Sequence, residues 1–202
     1  MTAPVTAPPA GPGEGPFEPE YPIRTARLLL RPYRPDDVDA VYAYERLPET
    51  ARYLENEPMS LAEAKALVIR RVGSSTLGGV GEVLNLVIEL ARTRTLVGDC
   101  VLFWCGEGQA EVGYVLHPAH YGHGYATEAA GALLRLGFEE LGLHRVAARC
   151  DARNTASARV MERAGMRREA HLVQSQFIKN EWTDELIYAI LRTEWAARQG
   201  SA

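Results

Sequence analysis

The sequence predicts one α/β domain built on a mixed, largely antiparallel sheet, with elements in the order βααβββαβαββ. Three observations predict it. Strand-like runs at 83–91, 95–104 and 110–117 are separated only by turns at 92–94 and 106–109, and connections that short join antiparallel neighbours. A strand–loop–helix–strand unit over 110–150 supplies one parallel crossover. Two further strand-like runs, 166–178 and 182–192, meet at Lys179-Asn180-Glu181 and form a closing hairpin.

Each element has a local cause. Residues 1–22 carry seven prolines and three glycines. Such a stretch buries too little apolar area to offset its ordering entropy, so a disordered tail is expected, its end pinned on a single domain over 23–198. Residues 27–32, RLLLRP, read as a strand stopped by Pro32 and Pro35. Asp36 and Asp37 suit the first turn of a helix with Val38, Val41 and Tyr42 on its apolar face, and Pro48 closes it. Ser60 and Glu63 form a capping box opening a second helix, with Leu61, Ala64, Leu67 and Val68 on one side. The Gly/Ser-rich stretch 73–81 lacks the Lys-Ser/Thr ending of a phosphate-binding P-loop and reads as a connection.

After the three strands comes a helix from about Tyr125 to Leu141, burying Ala130, Leu133, Leu134, Gly137 and Phe138, with Gly142 past its end. Residues 145–150 read as a strand. Residues 154–164 read as a short helix ended by Gly165, with Ser157, Val160, Met161 and Ala164 at helical spacing.

Bulk properties narrow the function. With 202 residues, 47% hydrophobic and 24% charged, the chain supports one well-buried core. Its formal charge of −4, without any Lys/Arg run, argues against nucleic acid as a partner. No apolar run approaches the roughly 20 residues needed to span a bilayer, and the N-terminus lacks the pattern of a secretory signal, so no membrane is expected. Cys100, Cys105 and Cys150 are odd in number and lack C-x-x-C spacing, which suits buried thiols in a reducing cytoplasm rather than disulfides or a metal centre.

The most informative stretch is 111–130, EVGYVLHPAHYGHGYATEAA. An alternating strand (Val112, Tyr114, Leu116) enters a polar loop, then Gly122-His123-Gly124, then a helix. Glycines let successive backbone N–H groups converge, and the unpaired amides of a first helical turn add partial positive charge, so this is a cradle for a pyrophosphate. A dinucleotide fold fits poorly. Thr127 stands where the third glycine of G-x-G-x-x-G belongs, and residues 118–121 separate strand from glycines, although Asp151 lies roughly where a ribose-binding acid would. His120 and His123 form an H-x-x-H pair without the further ligands zinc requires, so no metal is expected.

Several separated motifs recur together: RLLLRP at 27–32, EVGYVL at 111–116, YGHGYATEA at 121–129, NTAS at 154–157, ERAGM at 162–166, WTD at 182–184, Tyr188, and Glu194-Trp195. On these motifs the chain from Ile23 to Trp195 resembles the GNAT acetyltransferases and, within them, the RimJ/RimL-like group of ribosomal-protein N-terminal acetyltransferases. The resemblance implies a six- to seven-stranded sheet with helices on both faces, and acetyl-CoA as co-substrate. It implies direct acetyl transfer to a primary amine, either a protein N-terminus or a small molecule. Relatives are often dimers, so a homodimer is compatible with it.

The same resemblance implies a site. Backbone groups of Gly122, His123, Gly124, Tyr125, Ala126 and Thr127 would hold the pyrophosphate. Val115, Leu116 and His117 would line the thioester arm, an amide there polarising the carbonyl. Asn154 would meet the pantetheine. Catalytic roles fall to Ser157, as donor to the leaving thiolate, and Glu111, as base. Met161 and Gln176 stand where relatives place proton-transfer groups, which motivates an alternative, a non-catalytic acyl-CoA-binding domain. Tyr121 replaces the Gln or Arg of many relatives. Segment 48–58, with Glu55 and Glu57, and the hairpin 179–182 are the expected acceptor walls.

Overall fold

The computed structural model describes residues 15–200. Eight strands form one sheet: β1 Ile23–Arg24, β2 Leu28–Pro32, β3 Val83–Leu90, β4 Leu96–Gly106, β5 Gln109–Leu116, β6 Arg145–Asp151, β7 Arg167–Ile178 and β8 Glu181–Leu191, in the spatial order β1-β2-β3-β4-β5-β6-β8-β7. Every neighbouring pair is antiparallel except β5 with β6. The expected mixed, mostly antiparallel sheet is therefore present, with eight strands instead of six to seven. The additional strand is β1, two residues pairing with Leu29 and Leu30. Two residues carry no period for a sequence to reveal.

The helices are α1 Val38–Glu45, α2 Pro48–Ala51, α3 Leu61–Arg71, α4 Tyr125–Arg135, α5 Thr155–Arg163 and α6 Arg192–Gln199. The full order is ββαααβββαβαββα, which corrects the expected βααβββαβαββ by one strand and two helices. Pro48 opens α2 as well as following α1, because proline at a first helical position forfeits no hydrogen bond. The last strand stops at Leu191 and α6 begins at Arg192, where Glu194 accepts from the Leu191 amide at 2.8 Å. The helix after the glycines widens into a π-helical turn at Leu136–Glu140 before ending. Among the described residues no helix is long and apolar enough to cross a membrane.

Strand alternation builds two cores. Leu84, Leu86 and Ile88 of β3, with Cys100 and Leu102 of β4, face the larger core beneath α4 and α5. Val87 points the other way, into a smaller core with Tyr33, Val41, Tyr44, Leu67 and Val68 beneath α1 and α3. Helices thus cover both faces. Each fully buried Leu or Ile stabilises by roughly 1.5–3 kcal/mol relative to exposure. Cys100 lies within the larger core, where burial raises its thiol pKa.

Residues 1–14 of the expected tail lie outside the described residues. From Phe17 onward the chain is attached. Phe17 exchanges backbone bonds of 2.8 and 2.9 Å with Leu77, and the Tyr21 hydroxyl donates to the Ser75 carbonyl at 2.7 Å. The 73–81 connection is the surface that receives it.

Candidate active site

β5 is bound fully on one edge and barely on the other. All eight of its residues pair with β4, yet only Gln109, Ala110 and Glu111 pair with β6, opposite Arg145, Val146 and Ala147. β6 meanwhile pairs with β8 along Arg145–Asp151. Past Glu111 the two strands part, and the edge of Val112–Leu116 toward β6 is left open. A wedge in the sheet results, bounded on each side by a strand held from behind.

The cradle lies at the wide end. His117 donates its amide to the Val97 carbonyl at 2.8 Å, and its ring Nδ1 accepts from the Ala119 amide at 3.1 Å, capping the turn 118–120. Gly122 and Gly124 both adopt left-handed backbone, φ 78° and 79°, a conformation glycine reaches without steric cost. α4 then begins, and its first internal bond runs from the Glu128 amide to the Gly124 carbonyl at 3.1 Å. Among the described residues, the amides of 122–127 donate to no group of the chain. Consecutive free N–H groups at a helix N-terminus are an anion site.

Side chains brace this loop. The His123 ring lies 5.5 Å from the Tyr125 ring at 10°, and its Nδ1 is 2.9 Å from the Tyr121 carbonyl. Arg27 places its guanidinium 4.9 Å from the Tyr125 ring and donates to the His123 carbonyl at 2.9 Å. Glu128 accepts from the Arg27 amide and Nε, both at 2.7 Å, and from the Thr25 hydroxyl at 2.6 Å. The residues before β2 therefore hold the helix that presents the cradle. In the sequence Arg27 reads only as part of a strand.

Three elements meet over the wedge. Ser157 comes from α5, Tyr114 from β5 and Cys150 from β6. The Tyr114 hydroxyl lies 3.0 Å from Ser157 Oγ and donates to the Ser157 carbonyl at 3.1 Å. The Cys150 thiol is half-buried, and burial pushes its pKa up to about 11. Burial likewise raises the Tyr114 phenol, so it keeps its proton at neutral pH. The N-cap of α5 is Asn154, whose Oδ1 accepts from the Ser157 amide at 3.0 Å. Its carboxamide orients the turn that carries Ser157. Met161 is 1% exposed and belongs to the core.

Glu111 sits where the wedge closes. Its carboxylate takes the Arg149 Nε at 2.9 Å, and Arg149 reaches on to Glu185 at 3.4 Å. Glu111 and Arg149 thereby brace the apex, with the Glu111 carboxylate a third exposed. Gln176 is occupied in the β7–β8 ladder opposite Thr183.

The two expected acceptor walls are joined. Lys179, at the hairpin tip, donates to the Ala51 carbonyl at 2.6 Å and lies 3.9 Å from Glu57. Lys179 and Asn180 both have left-handed backbone, φ 52° and 62°, as a two-residue hairpin turn demands. Of the expected residues, the structure gathers Val115, Leu116, the 122–127 amides, Asn154 and Ser157 around one wedge. It places His117 in the supporting turn.

The acetyltransferase (GNAT) domain model matches residues 27–167. The chain is 37% identical over 174 residues to the uncharacterized N-acetyltransferase YnaD of Bacillus subtilis (strain 168), covering 86% of this chain and 98% of that one. A crystal structure of a GNAT-family acetyltransferase from Bacillus anthracis superposes with TM-score 0.77 at 35% identity, covering 84% of this chain and 98% of that one. The spermidine N-acetyltransferase of Vibrio cholerae, solved with CoA and spermine, shares the fold with TM-score 0.71 at 23% identity, covering 85% and 99%. The chain is a member of the GNAT acetyltransferase family.

Proposed function

We propose that this acetyltransferase is a cytoplasmic, acetyl-CoA-dependent N-acetyltransferase of the RimJ/RimL-like group, acting by direct transfer on a primary amine of a protein N-terminus or a small molecule. The observation that carries the reading is the wedge with its cradle: free main-chain donors at 122–127 beside a strand edge open from Val112 to Leu116.

The chain's own groups divide the work. Amides of 122–127 hold the diphosphate. The open edge of β5 offers main-chain groups to an extended amide-bearing arm, as it would to an added strand. An amide near Val115–Leu116 polarises the thioester carbonyl. Ser157, with the Tyr114 hydroxyl 3.0 Å from its Oγ, supplies a proton to the departing thiolate. The amine approaches from the face of α1 and α2, the side walled by residues 48–58 and the hairpin tip. Holding amine and thioester in contact supplies much of the rate.

The test is direct. CoA raises the melting temperature of the protein while NAD leaves it unchanged, since a ligand stabilises only the state it binds. With acetyl-CoA and a panel of N-terminal peptides and small amines, free thiol is released in proportion to acetylated product. Absence of CoA stabilisation overturns the proposal.

A further inference from the structure

Two buried ionic clusters lie on the α1–α3 side of the sheet, and only one is balanced. In the first, Arg31 pairs with Asp37 at 2.6 Å and Glu89 at 2.5 Å, and Arg94 reaches Glu89 at 2.9 Å. Two cations meet two anions. In the second, Arg71 of α3 pairs with Asp99 of β4 at 3.1 Å and bonds the Tyr33 hydroxyl at 2.5 Å, while the Tyr44 hydroxyl bonds Asp99. Glu45, at the end of α1, faces the same pair. One cation therefore meets two carboxylates, and Glu45 is the surplus.

Glu45 is 3% exposed, and its Oε2 is sealed from solvent with no hydrogen-bond partner among the described residues. Thr50, one turn further on in α2, has a sealed hydroxyl with no partner either. The Met59 amide donates to the Glu45 carbonyl at 2.9 Å, so the chain leaving segment 48–58 returns to the end of α1. An ionised carboxylate buried without a partner is costly, and burial, then the negative Asp99, push its pKa up to about 7 against the pull of Arg71. Its position matters. Asp99 is opposite Val115, whose strand has its other edge open to the wedge. Val115 itself packs against the small core that Tyr44 belongs to.

We infer that Glu45 is the residue that receives the acceptor's ammonium, assisted by the unpartnered Thr50 hydroxyl of α2, and that it takes the proton the amine must lose. The inference rests on the acetyltransferase reading and adds the substrate class, an aliphatic primary ammonium small enough to pass beneath segment 48–58. The step balances. One ammonium proton passes to Glu45 and later to solvent. The nitrogen lone pair forms the N–C bond, the C–S bond breaks, and a second nitrogen proton reaches the thiolate through Ser157. Amide, free thiol and one proton are produced.

The experiment compares wild type, Glu45→Gln and Thr50→Val. At pH 8, n-butylammonium chloride should raise the melting temperature of wild type above an equal concentration of sodium chloride, because the surplus carboxylate gains its cation. Glu45→Gln should lose that increment while keeping wild-type affinity for CoA. With any amine that wild type acetylates, Glu45→Gln should lower kcat/KM at least 30-fold with the KM for acetyl-CoA unchanged. The acidic limb of the pH profile, set by Glu45 among Asp99, Arg71, Tyr44 and Tyr33, should vanish. Thr50→Val should raise the amine KM several-fold and keep the limb. Equal butylammonium response in wild type and Glu45→Gln, or none in either, overturns the inference while CoA binding still supports the acetyltransferase reading. Loss of CoA binding by wild type sinks the reading itself.

Discussion

Arg27 and Glu128 should act as one unit that shapes the cradle, and a double-mutant cycle can show it. Glu128 lies in the first turn of α4, where negative charge is favoured by the helix but opposes a bound diphosphate. The chain resolves this conflict by surrounding the carboxylate with donors: Thr25 Oγ1 at 2.6 Å and three nitrogens of Arg27 at 2.7 Å. Burial alone would raise its pKa, and these donors outweigh it and hold Glu128 below the usual carboxylate range. Arg27 is half exposed, so the ion pair itself contributes at most about 1 kcal/mol. The hydrogen bonds from the charged group add roughly as much again. Glu128→Ala should therefore cost about 2 kcal/mol of stability. It should also weaken CoA binding about fivefold, because the Arg27 bond to the His123 carbonyl loses its anchor. Arg27→Ala should weaken CoA by a similar factor. The double variant should be no worse than either, giving a coupling of about 1 kcal/mol in binding as well as in folding. Titration calorimetry and urea unfolding on the four proteins measure both. Additive losses in CoA affinity, or unchanged affinity alongside lowered stability, would refute the reasoning.

Other outcomes follow from the same structure. Ser157→Ala should lower kcat by about 100-fold with little change in the KM for acetyl-CoA, whereas Tyr114→Phe should lower it less, as steady-state kinetics will show. Gly98→Ala should destabilise by roughly 3 kcal/mol or more, because a Cβ there would lie 2.1 Å from the Val115 carbonyl oxygen, and urea unfolding reads this directly. For Glu45, the pKa in the folded chain is about 7 against an ordinary 4.5, so folding is favoured below 4.5 and that stabilisation is lost as pH rises through 7. The loss approaches roughly 3 kcal/mol, and Glu45→Gln should flatten this part of the stability profile between pH 5 and 8. Lys179→Met should release the hairpin from the Ala51 carbonyl and speed hydrogen exchange across 48–58, with CoA affinity unchanged.

What was legible in the sequence was whatever leaves a local period or a local steric demand. The capping box at Ser60 forms as expected, its hydroxyl accepting from the Glu63 amide at 3.3 Å and its amide donating to Glu63 at 2.8 Å. The cradle was legible because Gly122 and Gly124 announce left-handed backbone ahead of a helical run. Short elements were not: β1 has two residues and α2 four, fewer than one repeat of any pattern. Pairings between distant segments were hidden for a different reason. Arg27 with Glu128, Tyr114 with Ser157 and Arg149 with Glu111 are 101, 43 and 38 residues apart, and nothing within either segment marks its partner. Ser157 shows the ambiguity of residue type. A serine near a helix start reads equally as a cap, and only Asn154 taking the cap position frees the Ser157 hydroxyl to face the wedge. Glu45 lies at the end of an amphipathic helix, where a carboxylate ordinarily meets solvent, and only the return of Met59 over it shows otherwise.

The wedge itself is a consequence of stiffness on both of its sides. β4 holds β5 through every residue, and β8 holds β6 through all seven of its own, so neither strand can bend toward the other without breaking a satisfied ladder. At the apex, Arg149 spans from Glu111 to Glu185 and fixes the point where the strands part. Gly98 removes a side chain that would push β5 away from β4 at Leu116, where the gap is widest. The main-chain groups left over along Val112–Leu116 must be satisfied by water or by an extended chain of amides, since buried backbone polar groups do not persist unpaired. A sheet that is rigid and incomplete at one edge is preorganised for such a chain. It contributes affinity because the ligand bears little of the ordering cost that a flexible cleft would impose.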